Sequence, residues 1–142
     1  MYAKETHLRI AAVPHQVPVA CRFVAEAAGR AGLDEHAVYH CQLAVDEACT
    51  NIVEHAYQMR GNHQIIDIVC QVAAGRFTII ILDDGPAFNP LSLPDPDPTA
   101  PLEQRTGGGW GIHFIKKLMD EVSYSREQGR NRLALVKRLP SA

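Results

Sequence analysis

A segment dense in proline and glycine constrains the fold of this 142-residue chain more than any other feature. Residues 83–111 contain six prolines and, after them, four glycines. Neither a helix nor a central strand tolerates that density, because proline lacks an amide hydrogen and glycine weakens regular structure. The segment therefore predicts a long loop, and a loop of this length inside a compact domain is usually functional or disordered. The core must come from the residues on either side.

The flanking residues show helix and strand periodicities in an alternating order. The predicted elements are a strand over 7–13, helices over 16–31 and 35–58, strands over 64–73 and 76–82, a helix over 112–120, and strands over 121–127 and 132–138. The unbroken apolar run Ile79-Ile80-Ile81-Leu82 indicates a strand buried on both faces. We predict one α+β domain over 1–142, a two-layer sandwich whose mixed, mostly antiparallel sheet carries helices on one face.

Composition excludes several classes of protein. A net charge of −2 gives no sign of a nucleic-acid or anionic-membrane binder, and no apolar run reaches membrane length. The four cysteines form no CxxC pair and have apolar neighbours, which is typical of buried thiols in a reducing compartment. The expected location is the cytoplasm, and no transition-metal site is expected.

Polar residues recur along one side of the second helix. Glu47, Asn51 and His55 follow each other at intervals of four, opposite the apolar stripe. They form either a solvated face or one wall of a site. For His55, a structural role is favoured over a catalytic one.

Two further motifs lie at the ends of the long loop. LDDGPAF places Asp83 and Gly85 just after a buried strand, where a carboxylate could accept a hydrogen bond from an amine beside a flat ring. An ordinary Asp-Gly turn is the simpler interpretation. At the other end, TGGGWG opens a helix, and glycine-rich loops before helices can bind phosphate. A flexible glycine loop fits that stretch equally well, and neither a Walker A nor a Rossmann pattern is present.

The three motifs together resemble those of the GHKL (Bergerat-fold) ATPase/kinase superfamily, and within it the small anti-sigma-factor serine/threonine kinases. The likeness covers nearly the whole chain, and KKLMDEVSY after the glycines is also similar to that subfamily. It implies a site for ATP and Mg²⁺, with an ATP lid over about 84–110. On the second helix, the resemblance implies Asn51 as the Mg²⁺ ligand and Glu47 as the residue that orients or deprotonates the attacking hydroxyl. After the buried strand, it implies that Asp83 binds the adenine amino group and that Gly85 lies under the ring. In the glycine-rich loop, it implies that Gly107, Gly109 and Gly111 surround the phosphates, that Thr106 supplies a hydroxyl contact, and that Arg105 contacts the terminal phosphate.

The resemblance also implies partners. Members of the subfamily phosphorylate an anti-anti-sigma protein of the STAS type, sequester a sigma factor and commonly form homodimers. The alternative function is a non-catalytic module that binds a partner and binds ATP weakly or not at all. A third interpretation, an ATP-driven clamp of the gyrase or MutL kind, needs further domains and is not expected at this length.

The chain departs from the subfamily pattern at two places. Relatives often carry paired threonines before the last strand, one of which helps to bind adenine, whereas this chain has Asn131-Arg132. Trp110 stands between the glycines, where a smaller aliphatic residue is usual. The first departure leaves the adenine side of the site open. Arg105 could equally be a solvated loop arginine.

Overall fold

The computed structural model describes residues 4–57, 64–92 and 115–140. In chain order the elements are β1 (Lys4–Ala11), a 3-10 turn (Pro14–Gln16), α1 (Val17–Ala31), α2 (Glu35–Tyr57), β2 (Ile65–Ala73), β3 (Arg76–Asp83), a second 3-10 turn (Pro90–Ser92), β4 (Glu121–Glu127) and β5 (Arg130–Arg138). Residues 115–118 are helical, within the helix predicted over 112–120. The predicted helices and strands are therefore confirmed to within a few residues wherever the structure describes them.

The five strands form one sheet in the order β1-β2-β3-β5-β4, and each neighbouring pair is antiparallel. Two-residue turns close both hairpins, Ala74-Gly75 between β2 and β3 and Gln128-Gly129 between β4 and β5. All four turn residues have positive φ, which matches the strand twist. The sheet is thus wholly antiparallel in the described residues, and the predicted α+β class is confirmed.

The helices cover one face of the sheet. Apolar residues of α1 and α2 pack with inward residues of β2, β3 and β5 in one core cluster. Ile79 and Ile81 belong to this cluster and are 0% and 1% exposed. Ile80 points to the opposite face, where it pairs in register with Val69 and Ala134 and is still only 6% exposed. The centre of β3 is therefore buried on both faces, as its apolar run predicts.

Local signals explain where the helices begin and end. Gly32 adopts φ 101° after α1, and its amide donates to the carbonyls of Ala28 and Gly29. Asp34 caps α2, since its Oδ1 accepts a hydrogen bond from the Ala37 amide at 2.8 Å. This turn reverses the chain, so that α2 runs back across the sheet towards the end of β3.

The four cysteines are free thiols, and three of them are buried. Within the described ranges, no helix has both the length and the apolar character that crossing a membrane requires.

Candidate functional site

A cavity of about 350 Å³ lies between the C-terminal half of α2, the end of β3, the loop after β3 and the β4–β5 hairpin. Its volume is in the range of small-molecule sites. The residues that line it are Ala48, Asn51, Ile52, His55, Gln64, Ile81, Asp83, Gly85, Pro86, Ala87, Phe88, Pro90, Tyr124, Asn131 and Leu133. Most are apolar, and a few polar groups converge among them. The cavity therefore brings together the motifs of the second helix and of the Asp-x-Gly turn.

Asp83 is the buried carboxylate of the cavity, with 8% of the residue exposed. Its Oδ1 accepts hydrogen bonds from the Gly85 amide at 2.9 Å and from Asn131 Nδ2 at 3.1 Å. Its other oxygen, Oδ2, accepts no hydrogen bond from any residue of the described ranges. Two bonds on one oxygen fix the carboxylate, and within the described ranges Oδ2 keeps its capacity to accept an N–H.

The neighbouring Asp84 has a different environment. Its side chain is 53% exposed and pairs with Arg130, whose Nε lies 2.7 Å from Asp84 Oδ1. Asp84 is not among the lining residues of the cavity. The two adjacent carboxylates thus face opposite sides of the loop.

Gly85 sits where a side chain would not fit. A Cβ at this position would lie 2.9 Å from Asp83 Oδ1, inside normal contact distance. Because Asp83 is fixed by its hydrogen bonds, the clash could not be relieved without moving the carboxylate. Glycine here lets the backbone approach the carboxylate closely.

One wall of the cavity is α2. Asn51 and His55 line it together with Ile52. The His55 ring packs on Phe88 of the loop, with 4.4 Å between ring centroids and an interplanar angle of 48°. This contact ties the end of α2 to the loop after β3. Asn51 presents a neutral amide to the cavity, and its oxygen is a suitable ligand for a hard cation.

Glu47 lies one helical turn before Asn51 and is half-buried. It is on the same side of α2 but not among the lining residues of the cavity. Burial raises the pKa of the Glu47 carboxyl, and the nearby carboxylates of Asp46 and Glu54 raise it further. A carboxylate with a raised pKa is a stronger proton acceptor, which suits a general base.

Sequence reasoning noted Asn131 only as a departure from a pattern. The structure places it inside the site, 6% exposed, in hydrogen bonds with Asp83 and the loop. Tyr124 and Arg126 of β4 join this network and were not predicted. Asn131 meets Asp83 through the β3–β5 register, which the predicted strands did not reach because they ended at residue 82 and began at residue 132.

The remaining predicted site residues lie outside the described residues. They are Arg105, Thr106, Gly107, Gly109 and Gly111. Their assignments stay predictions. In the described part of the chain, no group of three or more His, Cys, Asp or Glu side chains could hold a metal ion. A single amide oxygen with ligand phosphates and water would still suit Mg²⁺, which usually takes few protein ligands.

Comparison with known proteins identifies a family match over most of the chain. A model of the histidine kinase-like ATPase domain matches residues 10–137. The serine-protein kinase RsbW of Bacillus subtilis (strain 168) is 29% identical over 126 residues, which cover 86% of this chain and 78% of that protein. RsbW of Staphylococcus aureus is 33% identical over 104 residues, covering 70% of this chain and 65% of that protein, just under two thirds.

A solved structure has the same fold. The structure of the RsbU and RsbW domains of Rv1364c from Mycobacterium tuberculosis matches with a TM-score of 0.68 over 98% of this chain. The match covers 33% of that longer chain, at 18% sequence identity. At that identity the likeness concerns the fold.

Proposed function

Because the chain belongs to the histidine kinase-like ATPase domain family, we propose that it is an ATP-dependent protein serine/threonine kinase. It transfers the γ-phosphate of ATP to a serine or threonine of a partner protein. The observation that carries this proposal is the buried Asp83, whose Oδ1 is held by two hydrogen bonds while Oδ2 is left for a ligand N–H. The relatives named serine-protein kinase RsbW support the same activity.

Each part of the cavity has a function in nucleotide binding. Asp83 Oδ2 accepts the adenine amino hydrogen, and Gly85, which lines the cavity without a side chain, leaves room for the ring. The apolar side chains of Ile52, Ile81 and Leu133 supply a dry slot for the base. Adenine matches the carboxylate oxygen better than guanine does, because adenine presents an amino donor at the ring position where guanine presents a carbonyl acceptor.

Residues of α2 act in the transfer of the phosphate. Asn51 would hold Mg²⁺ through its amide oxygen, and the ion would neutralise charge on the phosphates. Glu47 accepts the proton of the attacking serine or threonine hydroxyl as the oxygen–phosphorus bond forms and ADP leaves. Arg105, Thr106 and the three glycines Gly107, Gly109 and Gly111 complete the phosphate side in this proposal.

The proposed partners follow from the subfamily. The phosphate acceptor is an anti-anti-sigma protein of the STAS type, and the unphosphorylated acceptor draws the kinase away from a sigma factor. Phosphorylation releases the kinase to hold the sigma factor again. We include homodimer formation in this proposal, together with a cytoplasmic location supported by the free cysteines.

The test is single-turnover phosphate transfer from labelled ATP to a STAS-type acceptor, with Glu47→Gln beside the unmodified protein. We expect Glu47→Gln to keep ATP affinity within about twofold and to slow transfer by about a hundredfold or more, the usual contribution of a general base. Glu35→Gln is the control, because it makes the same chemical change at an exposed position in the first turn of α2. It should leave both quantities unchanged.

Two results would contradict the proposal. Transfer by Glu47→Gln at the unmodified rate would remove Glu47 from its assigned function. Binding of ATP without any transfer to the acceptor by the unmodified protein would make the domain a partner-binding module instead of an enzyme.

A further inference from the structure

We infer that Asn131 is a positioning residue for nucleobase recognition: it holds Asp83 and the loop over 84–88 in the geometry that binds adenine. The inference rests on the proposed function and concerns the same cavity. The hydrogen bonds of Asn131 give it an indirect function in recognising the base.

The amide nitrogen of Asn131 is fully used by the protein. Nδ2 donates to Asp83 Oδ1 at 3.1 Å and to the Pro86 carbonyl at 2.9 Å, with the Gly85 carbonyl further away at 3.5 Å. An amide nitrogen has two hydrogens, so none is left for a ligand. Asn131 therefore acts on the base through Asp83.

The amide oxygen of Asn131 faces donors. Oδ1 accepts from the Phe88 amide at 3.2 Å, from the Tyr124 hydroxyl at 2.5 Å and from Arg126 Nη1 at 3.1 Å. The opposite flip of the amide would place its hydrogens against these donors. It would also set its oxygen against the Asp83 carboxylate. The orientation of the amide is thus fixed from both sides.

The same hairpin reaches the loop a second time. Arg126 Nη1 also donates to the Gly85 carbonyl at 2.8 Å. Residues 84–89 have no regular secondary structure, so side-chain bonds from β4 and β5 supply much of their support. The Gly85 amide also donates to Asp83 Oδ1, so among the residues that the structure describes Asp83 Oδ2 is the oxygen without a donor.

The experiment compares ATP and GTP binding by calorimetry for the unmodified protein and for Asn131→Asp. This substitution keeps the shape of the side chain but replaces the donor facing Asp83 Oδ1 by an acceptor. We expect ATP to bind at least tenfold more weakly and the preference for ATP over GTP to fall at least fivefold. A side chain with only a structural role would lower the binding stoichiometry or the melting temperature and leave the ATP/GTP ratio unchanged.

Two further variants complete the design. Arg132→Gln makes the same change of net charge at the next residue of β5, whose side chain pairs with Glu127 and does not line the cavity, so it should bind both nucleotides normally. Tyr124→Phe keeps the ring and removes a donor to Asn131 Oδ1; we expect a loss of ATP affinity of about threefold, which can be measured even if Asn131→Asp does not fold.

The outcomes separate this inference from the proposed function. If the unmodified protein binds no ATP, both are overturned. If the unmodified protein binds ATP but Asn131→Asp keeps the same ATP affinity and ATP/GTP ratio, only the positioning function of Asn131 is overturned. Where Asn131→Asp does not fold, the same result for Tyr124→Phe overturns it.

Discussion

At the scale of single residues, the site depends on one carboxylate with two unlike oxygens. Asp83 Oδ1 accepts hydrogen bonds from Gly85 and Asn131, whereas Oδ2 accepts none from the described part of the chain. The motif in the sequence pointed to Asp83 and Gly85, because carboxylate, spacer and glycine follow each other directly. It could not point to Tyr124, Arg126 or the function of Asn131. Asn131 is 48 positions away in the chain, and all three residues come near Asp83 only when the strands pair.

Gly85 provides a prediction about stability. Gly85→Ala should lower the free energy of unfolding by about 1–3 kcal/mol, because the new methyl group would meet Asp83 Oδ1 at 2.9 Å. Urea unfolding measures this change. Gly29→Ala is the control: Gly29 lies in α1 with nothing within 4 Å of an added Cβ. That control should gain about 0.5–1 kcal/mol, as alanine usually does in a helix. A Gly85→Ala protein as stable as the unmodified one would show that the loop can move away from Asp83.

At the scale of elements, a chain of charges joins three strands to the loop. Asp67 of β2 accepts from Arg9 Nε of β1 at 2.7 Å and from Arg130 Nη2 of β5 at 2.7 Å, and Arg130 also holds Asp84. The Arg9 and Arg130 guanidinium groups hold the pKa of the Asp67 carboxyl below its usual value, against the opposing effect of burial. The network lies on the face of the sheet opposite the core cluster.

This network predicts a pH dependence of stability. The pKa of Asp67 in the folded protein lies below its value in the unfolded chain. The stabilisation of the fold by the ionised carboxylate is therefore present above about pH 4 and is lost as the pH falls through the folded pKa. Asp67→Asn should therefore lower the free energy of unfolding at pH 7 by up to about 1 kcal/mol, since Arg9 is exposed and water screens its pair with Asp67. The difference from the unmodified protein should shrink below about pH 4.

The control for Asp67 is a looser pair in the same sheet. Glu127 lies 3.8 Å from Arg132 and is 61% exposed, so Glu127→Gln should change stability at pH 7 much less. Equal stability of Asp67→Asn and the unmodified protein across the whole pH range would mean that the charge network contributes nothing to folding.

The elements themselves were largely predictable. Apolar periodicity predicted α1 and α2 and the strands β2 and β3 to within one residue at each end. The least accurate boundary was β1, which begins at Lys4 rather than at residue 7. Its first residues are exposed at the edge of the sheet, where backbone pairing with β2 forms the strand without an apolar pattern. β5 likewise begins earlier, at Arg130, directly after the tight turn at Gln128-Gly129.

At the scale of the whole molecule, the order of the strands creates the site. The chain passes from β3 in the middle of the sheet to β4 at its edge and returns along β5 beside β3. The loop after β3 is consequently enclosed between α2 and the β4–β5 hairpin. The order of helices and strands predicted the fold class, which the sheet topology confirms. Three ordered motifs predicted the family and the kinase-type domain, which the match over residues 10–137 confirms. The site assignments remain predictions.

The most direct test of the account is calorimetric titration of Mg-ATP into the unmodified protein, Asp83→Asn and Asp84→Asn. The bonds on Oδ1 force the new amide of Asp83→Asn to turn its hydrogens towards the ligand, where they would oppose the adenine amino group. We predict that Asp83→Asn binds at least tenfold more weakly, about 1.4 kcal/mol or more, while Asp84→Asn, on the outer side of the loop, stays within about twofold. Equal affinity of Asp83→Asn and the unmodified protein, or an absence of binding by the unmodified protein, would contradict the account.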